Sequence, residues 1–252
     1  VRTVTPLSFE GGFYGGTTLY NGPYMAVHTL LLQQFSLLKP LPPEVLERLA
    51  QHASVRPFAK REMVLTKGPA PQYLCFLQEG RLQAVDFTLE GREVGLYFIE
   101  PGDYFAELSL IDGEPQPEFV ISIERAQVVL LPAAEIRPVL FAAPLLAEAL
   151  SRRLAQRIRA QLSQRQVLAL TNPLHRIAAQ LQILTAGGTQ NIRVLKAPTH
   201  QELAIMVNLT RETVTRTFQV LLAQGVLKRE GNDLLVDGQK LDQLSAKGDN
   251  KE

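Results

Sequence analysis

Two hydrophobic periods divide this chain. Between residues 54 and 140, short β-branched and aromatic runs (YLCFL, LQAVDF, VGLYFI, FVISI, VVLL) alternate with turn formers, the pattern of an all-β roll or barrel. Gly80, Gly91, Gly102 and Gly113 recur at a spacing of 11 beside Glu, Asp or Pro. That beat predicts strands of similar length joined by turns where glycine takes positive φ cheaply. The flanks follow the helical period. Residues 26–53 read as helical, with a stop at KPLPP and a short amphipathic helix from Glu44 to Gln51. From Pro144 to Leu170, Leu146, Leu150, Leu154, Ile158 and Leu162 step by four with no glycine inside. A helix of roughly 27 residues, about 40 Å long, exceeds what one β-roll needs and reads as a connecting and dimerising element. Its four-residue step drifts around the axis, so the coiled-coil pattern is imperfect.

The last third carries denser punctuation. Asn172 and Pro173 open a helix as N-cap and first position. Thr199 with Glu202 forms a capping box for HQELAIMV. Thr210 caps a second helix over 211–224, with Val214, Phe218, Leu221 and Leu222 as its expected core face and Gly225 as its stop. Two short strands around a turn at Glu230–Asp233 follow. Helix, turn, helix and hairpin make a winged helix-turn-helix, whose second helix enters the DNA major groove. The polar face of that helix fits the task. Arg211 and Arg216 can grip guanine and Glu212 can accept from the cytosine amino group, while Thr199, Thr210, Thr213 and Lys228 suit phosphates. The segment lacks the aromatic stacking platform of RNA readers.

Composition narrows the classes. There is no run of 18 apolar residues and no charged-then-apolar leader, so the expectation is a soluble cytoplasmic protein without a membrane partner. Cys75 is the only cysteine, which excludes an internal disulfide, a zinc knuckle and a cysteine-ligated iron–sulfur cluster; in YLCFL it reads as a buried, inert thiol. The four histidines are scattered, and none falls within 54–140, which argues against a metal-dependent cupin-type enzyme. Residues 1–150 carry 11 Lys/Arg and 17 Asp/Glu, a net of −6, whereas 151–252 carry 15 and 8, a net of +7. Such asymmetry points the second half towards a polyanion. Five of the arginines (Arg152, Arg153, Arg157, Arg159, Arg165) cluster in 151–171, where a solvated basic helix explains them as well as DNA does.

THQELAIMVNLTRETVTRTFQVLLAQGVL resembles the DNA-binding motif of the Crp/Fnr family of bacterial transcription regulators, and PGDYFAELSLIDGEP is similar to that family's cyclic-nucleotide cassette. The resemblance covers about residues 30–240. It implies an α+β chain with an N-terminal cyclic-nucleotide-binding-type β-roll, a long dimerisation helix and a C-terminal winged helix-turn-helix. The corresponding divisions are the β-roll with its leading helices (26–143), the dimerisation helix (144–171) and a DNA-binding domain with a flexible C-terminal tail (172–252); the N-terminal Gly/Tyr-rich arm (1–25), which lacks helical or strand periodicity, lies outside the family's pattern. It also implies a homodimer that meets double-stranded DNA at a palindrome of TGTGA-like half-sites, read by Arg211, Glu212 and Arg216, with RNA polymerase as a further partner.

The effector positions implied by the resemblance depart from the cAMP-binding pattern. Glu107 is present for the ribose hydroxyl, but Ala106 replaces glycine, and Gln116 and Pro117 replace the Arg-Ser or Arg-Thr pair that holds the cyclic phosphate. Glutamine cannot offset a phosphate charge, proline has no N–H, and Glu118 adds repulsion. Gln161 and Leu162 stand at the nucleobase positions in place of hydroxyl residues. These substitutions argue against cAMP. They leave another nucleotide, such as a cyclic dinucleotide anchored partly by the arginines of 152–165, or a filled and silent roll. Haem lacks a histidine ligand in the cassette, and one cysteine cannot hold an iron–sulfur cluster. Two readings follow: a regulator modulated through the β-roll by a ligand other than cAMP, or an effector-independent regulator whose β-roll docks a protein.

Overall fold

The computed structural model describes residues 25–91, 93–185, 192–231 and 233–246. The arm expected over 1–25 lies outside them except for Met25. Two helices lead: α1 (Thr29–Leu32) and α2 (Pro43–His52). The roll follows, with α3 (Glu107–Asp112) set into it, and α4 (Ala133–Ala142) closes it. One sheet has the order β1 (Met25–Ala26), β2 (Ser54–Phe58), β9 (Ala126–Pro132), β4 (Tyr73–Glu79), β7 (Tyr104–Phe105). The other has the order β3 (Met63–Leu65), β8 (Phe119–Ser122), β5 (Leu82–Phe87), β6 (Glu93–Ile99). All the strand pairs within these two sheets are antiparallel.

The unbroken apolar run YLCFL now has its reason. In β4, Cys75 and Leu77 point into the roll with Leu82, Phe105 and Val128, whereas Leu74 and Phe76 point out to a second core with Phe35, Leu49, Ile136 and Leu146. A strand buried on both faces has no polar alternation to display. The four evenly spaced glycines all take positive φ, from +76° to +93°. Gly80 is constrained twice: a Cβ there would lie 2.2 Å from the Arg125 carbonyl oxygen.

The long helix α5 spans Pro144–Ala169. Its step-of-four stripe does not make one face. Each step overshoots by 40°, so Leu146 and Leu162 lie about 160° apart around the axis. Leu146 and Leu150 are buried on the roll, while Ile158 and Leu162 are 62% and 58% exposed. The stripe migrates from the chain's own core to solvent.

Beyond α5, α6 (Pro173–Leu184), α7 (His200–Met206) and α8 (Arg211–Ala223) pack around Ile177, Leu181, Leu203, Val214, Phe218 and Leu221. The hairpin β11 (Leu227–Glu230) and β12 (Asp233–Asp237) gains a third strand, β10 (Ile192–Lys196), antiparallel to β12. The sequence reading missed β10, although Ile192 and Val194 alternate at strand spacing. It also missed α9 (Gly238–Ala246), which buries Leu241 and binds α6 through Gln182 Nε2 to Asp242 Oδ1 at 2.7 Å; the flexible tail expected at the chain's end falls to the residues after it. Residues 247–252 lie outside the described ones.

Candidate DNA interface and effector site

The caps set the DNA-facing geometry. Thr199 Oγ1 accepts from the Glu202 N–H at 3.2 Å and Glu202 Oε2 accepts from the Thr199 N–H at 2.6 Å, the full reciprocal box. Thr210 Oγ1 accepts from the Thr213 N–H, 3.2 Å, and contacts Thr213 Oγ1 at 2.9 Å. Between the two helices Asn208 takes φ +50°. At the far end of α8, Val226 N donates to Leu221 O and Gly225 N to Leu222 O, both 3.0 Å, with Gly225 at φ +64°, a Schellman stop. Val214, Thr217, Phe218 and Leu221 are buried, but Leu222, expected in the core, is 43% exposed. One residue beyond Leu221, it is turned a further 100° around the axis. Arg211, Glu212 and Arg216 are exposed on the outward face, as are Thr199 and Thr210, while Thr213 is half-buried. Lys228 on the wing is exposed and paired with Glu230 at 2.7 Å.

His200, which the sequence reading passed over, braces the start of α7 on α8. Its ring packs on Phe218, with centroids 4.8 Å apart, and Nδ1 lies 2.9 Å from Thr215 Oγ1. The Thr215 hydroxyl donates to Arg211 O, so Nδ1 supplies the proton in their contact. Burial, then the nearby Arg229 and Arg211, hold this histidine below its ordinary pKa. The DNA-binding half also meets the roll and α5. Ile205 sits where Gly95 has no side chain, Arg81 Nη1 lies 3.6 Å from Glu202 Oε1, and Gln164 Nε2 donates to Met206 O at 2.8 Å. A cleft of about 300 Å³ remains between Glu93 and the α7–α8 turn, lined by Asn208, Thr210 and Arg211.

Within the roll the effector positions separate. Ala106 takes the left-handed conformation, φ +69°, as N-cap of α3, where a glycine would sit without strain. Glu107 is 1% exposed and binds Arg157 of α5, Oε1 to Nη1 2.5 Å. The Arg157 guanidinium lies over the Tyr97 ring at 4.4 Å, and the Tyr97 hydroxyl donates to Glu118. One turn earlier the arrangement repeats: Arg153 binds Asp103 at 2.9 Å and lies over Tyr104 at 4.5 Å. Gln116 is buried, accepts from Ser109 Oγ and exchanges two backbone hydrogen bonds with Gly68; Pro117 is exposed. Gln161 and Leu162, expected at a nucleobase, are exposed and are not brought to the interior. Leu162 lies about 140° around α5 from Arg157. Arginines expected to be available to a dinucleotide are also engaged: Arg152 binds Glu148 at 2.7 Å, and Arg153 and Arg157 bind the roll, leaving Arg159 and Arg165 exposed. Burial, then the Glu107 charge, pushes the Cys75 thiol up to about 12, so it stays protonated.

Both halves match known families. Residues 55–142 match the cyclic nucleotide-binding domain family and residues 175–244 the Crp-like helix-turn-helix domain family. The chain belongs to the Crp/Fnr family of DNA-binding transcription regulators. Among Crp/Fnr relatives, the "CRP-like cAMP-activated global transcriptional regulator" of Mycobacterium tuberculosis is 26% identical over 216 residues, covering 84% of this chain and 96% of that one. The "Cyclic AMP receptor protein" of Thermus thermophilus is 25% identical over 188 residues, covering 75% and 86%. Solved Crp/Fnr folds superpose as expected. FixK2 of Bradyrhizobium japonicum gives a TM-score of 0.65 at 20% identity, covering 76% of this chain and 96% of its own. The c-di-GMP responsive global regulator CLP of Xanthomonas campestris gives 0.62 at 20% identity, covering 78% and 100%. In this Crp/Fnr chain, as the solved fold requires, the cassette and the helix-turn-helix flank one long helix. The arginine–tyrosine clasps on that helix are invisible as a local motif because their acidic partners lie fifty residues away.

Proposed function

We propose that this Crp/Fnr regulator acts as a homodimer on a palindrome of TGTGA-like half-sites, with RNA polymerase as its further partner, and that cAMP is not its effector. The observation that carries the DNA reading is the outward display of Arg211, Glu212 and Arg216 on a helix whose opposite face is buried. Dimerisation is supported by α5. Ser151, Ala155, Ile158, Leu162, Arg165 and Ala169 are exposed at alternating steps of four and three, the seam spacing of paired helices. The cAMP argument rests on Gln116 and Pro117 at the phosphate position and is supported by the buried acids Glu107 and Glu118. A nucleotide-type effector of another kind, such as a cyclic dinucleotide, fits the exposed Arg159, which lies outside both the roll and that seam, and the Xanthomonas regulator named above is described as responsive to one.

A second reading, an effector-independent regulator whose roll docks a protein, is favoured by an open groove of about 670 Å³ lined by Ile111, Ala133, Ala134, Pro138 and the half-exposed Phe141. Site selection on random DNA, with light scattering of the complex, tests the primary reading. Enrichment of a palindrome by two chains per duplex is expected. A monomer bound without sequence preference would overturn it. Thermal shift with a nucleotide panel then divides the two readings, since a bound effector raises the melting temperature.

A further inference from the structure

We infer that Glu118 acts as the roll's own occupant: held by the Tyr97 hydroxyl, its carboxyl group fills the place beside Arg157 that an anionic effector would take. This rests on the reading of the roll as an effector domain from which cAMP is excluded, and it assigns Glu118 an active part in that exclusion beside Gln116 and Pro117. Glu118 follows Gln116 and Pro117 directly in the chain, is 7% exposed, and receives the Tyr97 hydroxyl. The Tyr97 ring in turn lies beneath the Arg157 guanidinium. Glu107 binds the same guanidinium. Two buried carboxyl groups thus lie around one arginine, Glu107 bound to it directly and Glu118 linked to it through Tyr97. A cyclic phosphate entering here would have to displace Glu118 and would face Glu107 as well. Asp86 adds acidity from the next strand, where it is paired with Lys67 at 2.8 Å.

The clasp also has a mechanical consequence. Glu107 on α3 and Tyr97 on β6 both contact Arg157 of α5, and Tyr97 in turn holds Glu118 beside β8. The roll therefore grips the long helix through its own side chains, without a small molecule bridging them.

Calorimetry on the full chain with cAMP as probe tests this, comparing wild type, Glu118→Ser, the near-isosteric Glu118→Gln, and Tyr97→Phe, which keeps the ring and frees the acid. Wild type is expected to give no binding heat at millimolar cAMP. Glu118→Ser and Glu118→Gln are expected to gain affinity by about tenfold or more, the ratio that about 1.4 kcal/mol of removed repulsion produces, and Tyr97→Phe to gain less. The inference is overturned if wild type binds cAMP as tightly as the variants, or if both folded Glu118 variants, checked by circular dichroism, stay as blind as wild type. Binding of the selected palindrome is measured on the same samples. If wild type ignores that DNA, the proposed function fails; if DNA binds and the variants remain blind, only the role of Glu118 fails.

Discussion

Removing Arg157 should cost more stability than any exposed charge in this chain. The side chain is one-fifth exposed, its partner Glu107 is 1% exposed, and Tyr97 beneath the guanidinium holds the buried Glu118. Arg157→Met keeps most of the aliphatic stem but strands Glu107 in the interior. Breaking a buried pair from one side typically costs about 3–5 kcal/mol, to which loss of the cation–π interaction with Tyr97 adds about 0.5–2 kcal/mol. With a urea slope of about 2 kcal/mol/M, the summed loss of about 3.5–7 kcal/mol should lower the denaturation midpoint by roughly 1.8–3.5 M. The chain has no tryptophan, and Tyr97 and Tyr104 sit beneath Arg157 and Arg153, so tyrosine fluorescence reports on the clasp itself. The double variant Glu107→Gln, Arg157→Met removes both charges and should recover at least half of the loss, because the single variant's cost is mostly the orphaned carboxylate. A single-variant loss below about 1 kcal/mol, the level of a solvated surface pair, would refute the reasoning. So would costs of the two substitutions that simply add.

Three further outcomes follow from the same structure. Gly80→Ala should destabilise the roll by more than about 2 kcal/mol, because it combines φ +87° with a backbone clash, and thermal unfolding measures it. Leu162→Lys should convert the dimer to monomer by light scattering while leaving the urea midpoint of the roll unchanged, since Leu162 is 58% exposed within the chain. Burial raises the Glu118 carboxyl above its ordinary value, against the smaller opposing effects of the Tyr97 hydrogen bond and Arg157, with Glu107 and Asp86 adding to the rise. The folded state therefore holds this proton more tightly than the unfolded one. Relative to Glu118→Gln, wild-type stability should be highest below the ordinary glutamate value, about 4.3, and should fall as pH climbs through the raised folded value. A rise over that range would contradict it.

What the sequence displayed were features written within a few residues. The capping box at Thr199, the cap at Thr210, the stop at Gly225 and the turn glycines of the roll each need only a local pattern, and their geometry follows. The stripe on α5 was visible but ambiguous, since a step of four fits either a core face or a seam until the burial of Leu146 and exposure of Leu162 separate its two ends. Strand β10 was missed because a single short run pairs only through β12, about forty residues away. The clasp of Arg157 with Glu107 and Tyr97 was illegible for the same reason: charge on a helix looks solvated until the fold brings its partners. Leu222 erred in the opposite sense, an apolar residue at helical spacing that the hairpin leaves uncovered.

The central claim is that α8 reads bases instead of offering a basic surface, and titrations of Arg216→Ala and Lys228→Ala against the selected palindrome and scrambled DNA at several salt concentrations test it most directly. Arg216 is exposed on the outward face of α8, and Lys228 is on the wing beside Glu230. Arg216→Ala should cost about 1–3 kcal/mol on the palindrome and little on scrambled DNA, relaxing one base pair per half-site. Lys228→Ala should weaken both DNAs alike and lower the salt slope by about one for each phosphate left without its cation. Equal losses for both variants on both DNAs would contradict the account.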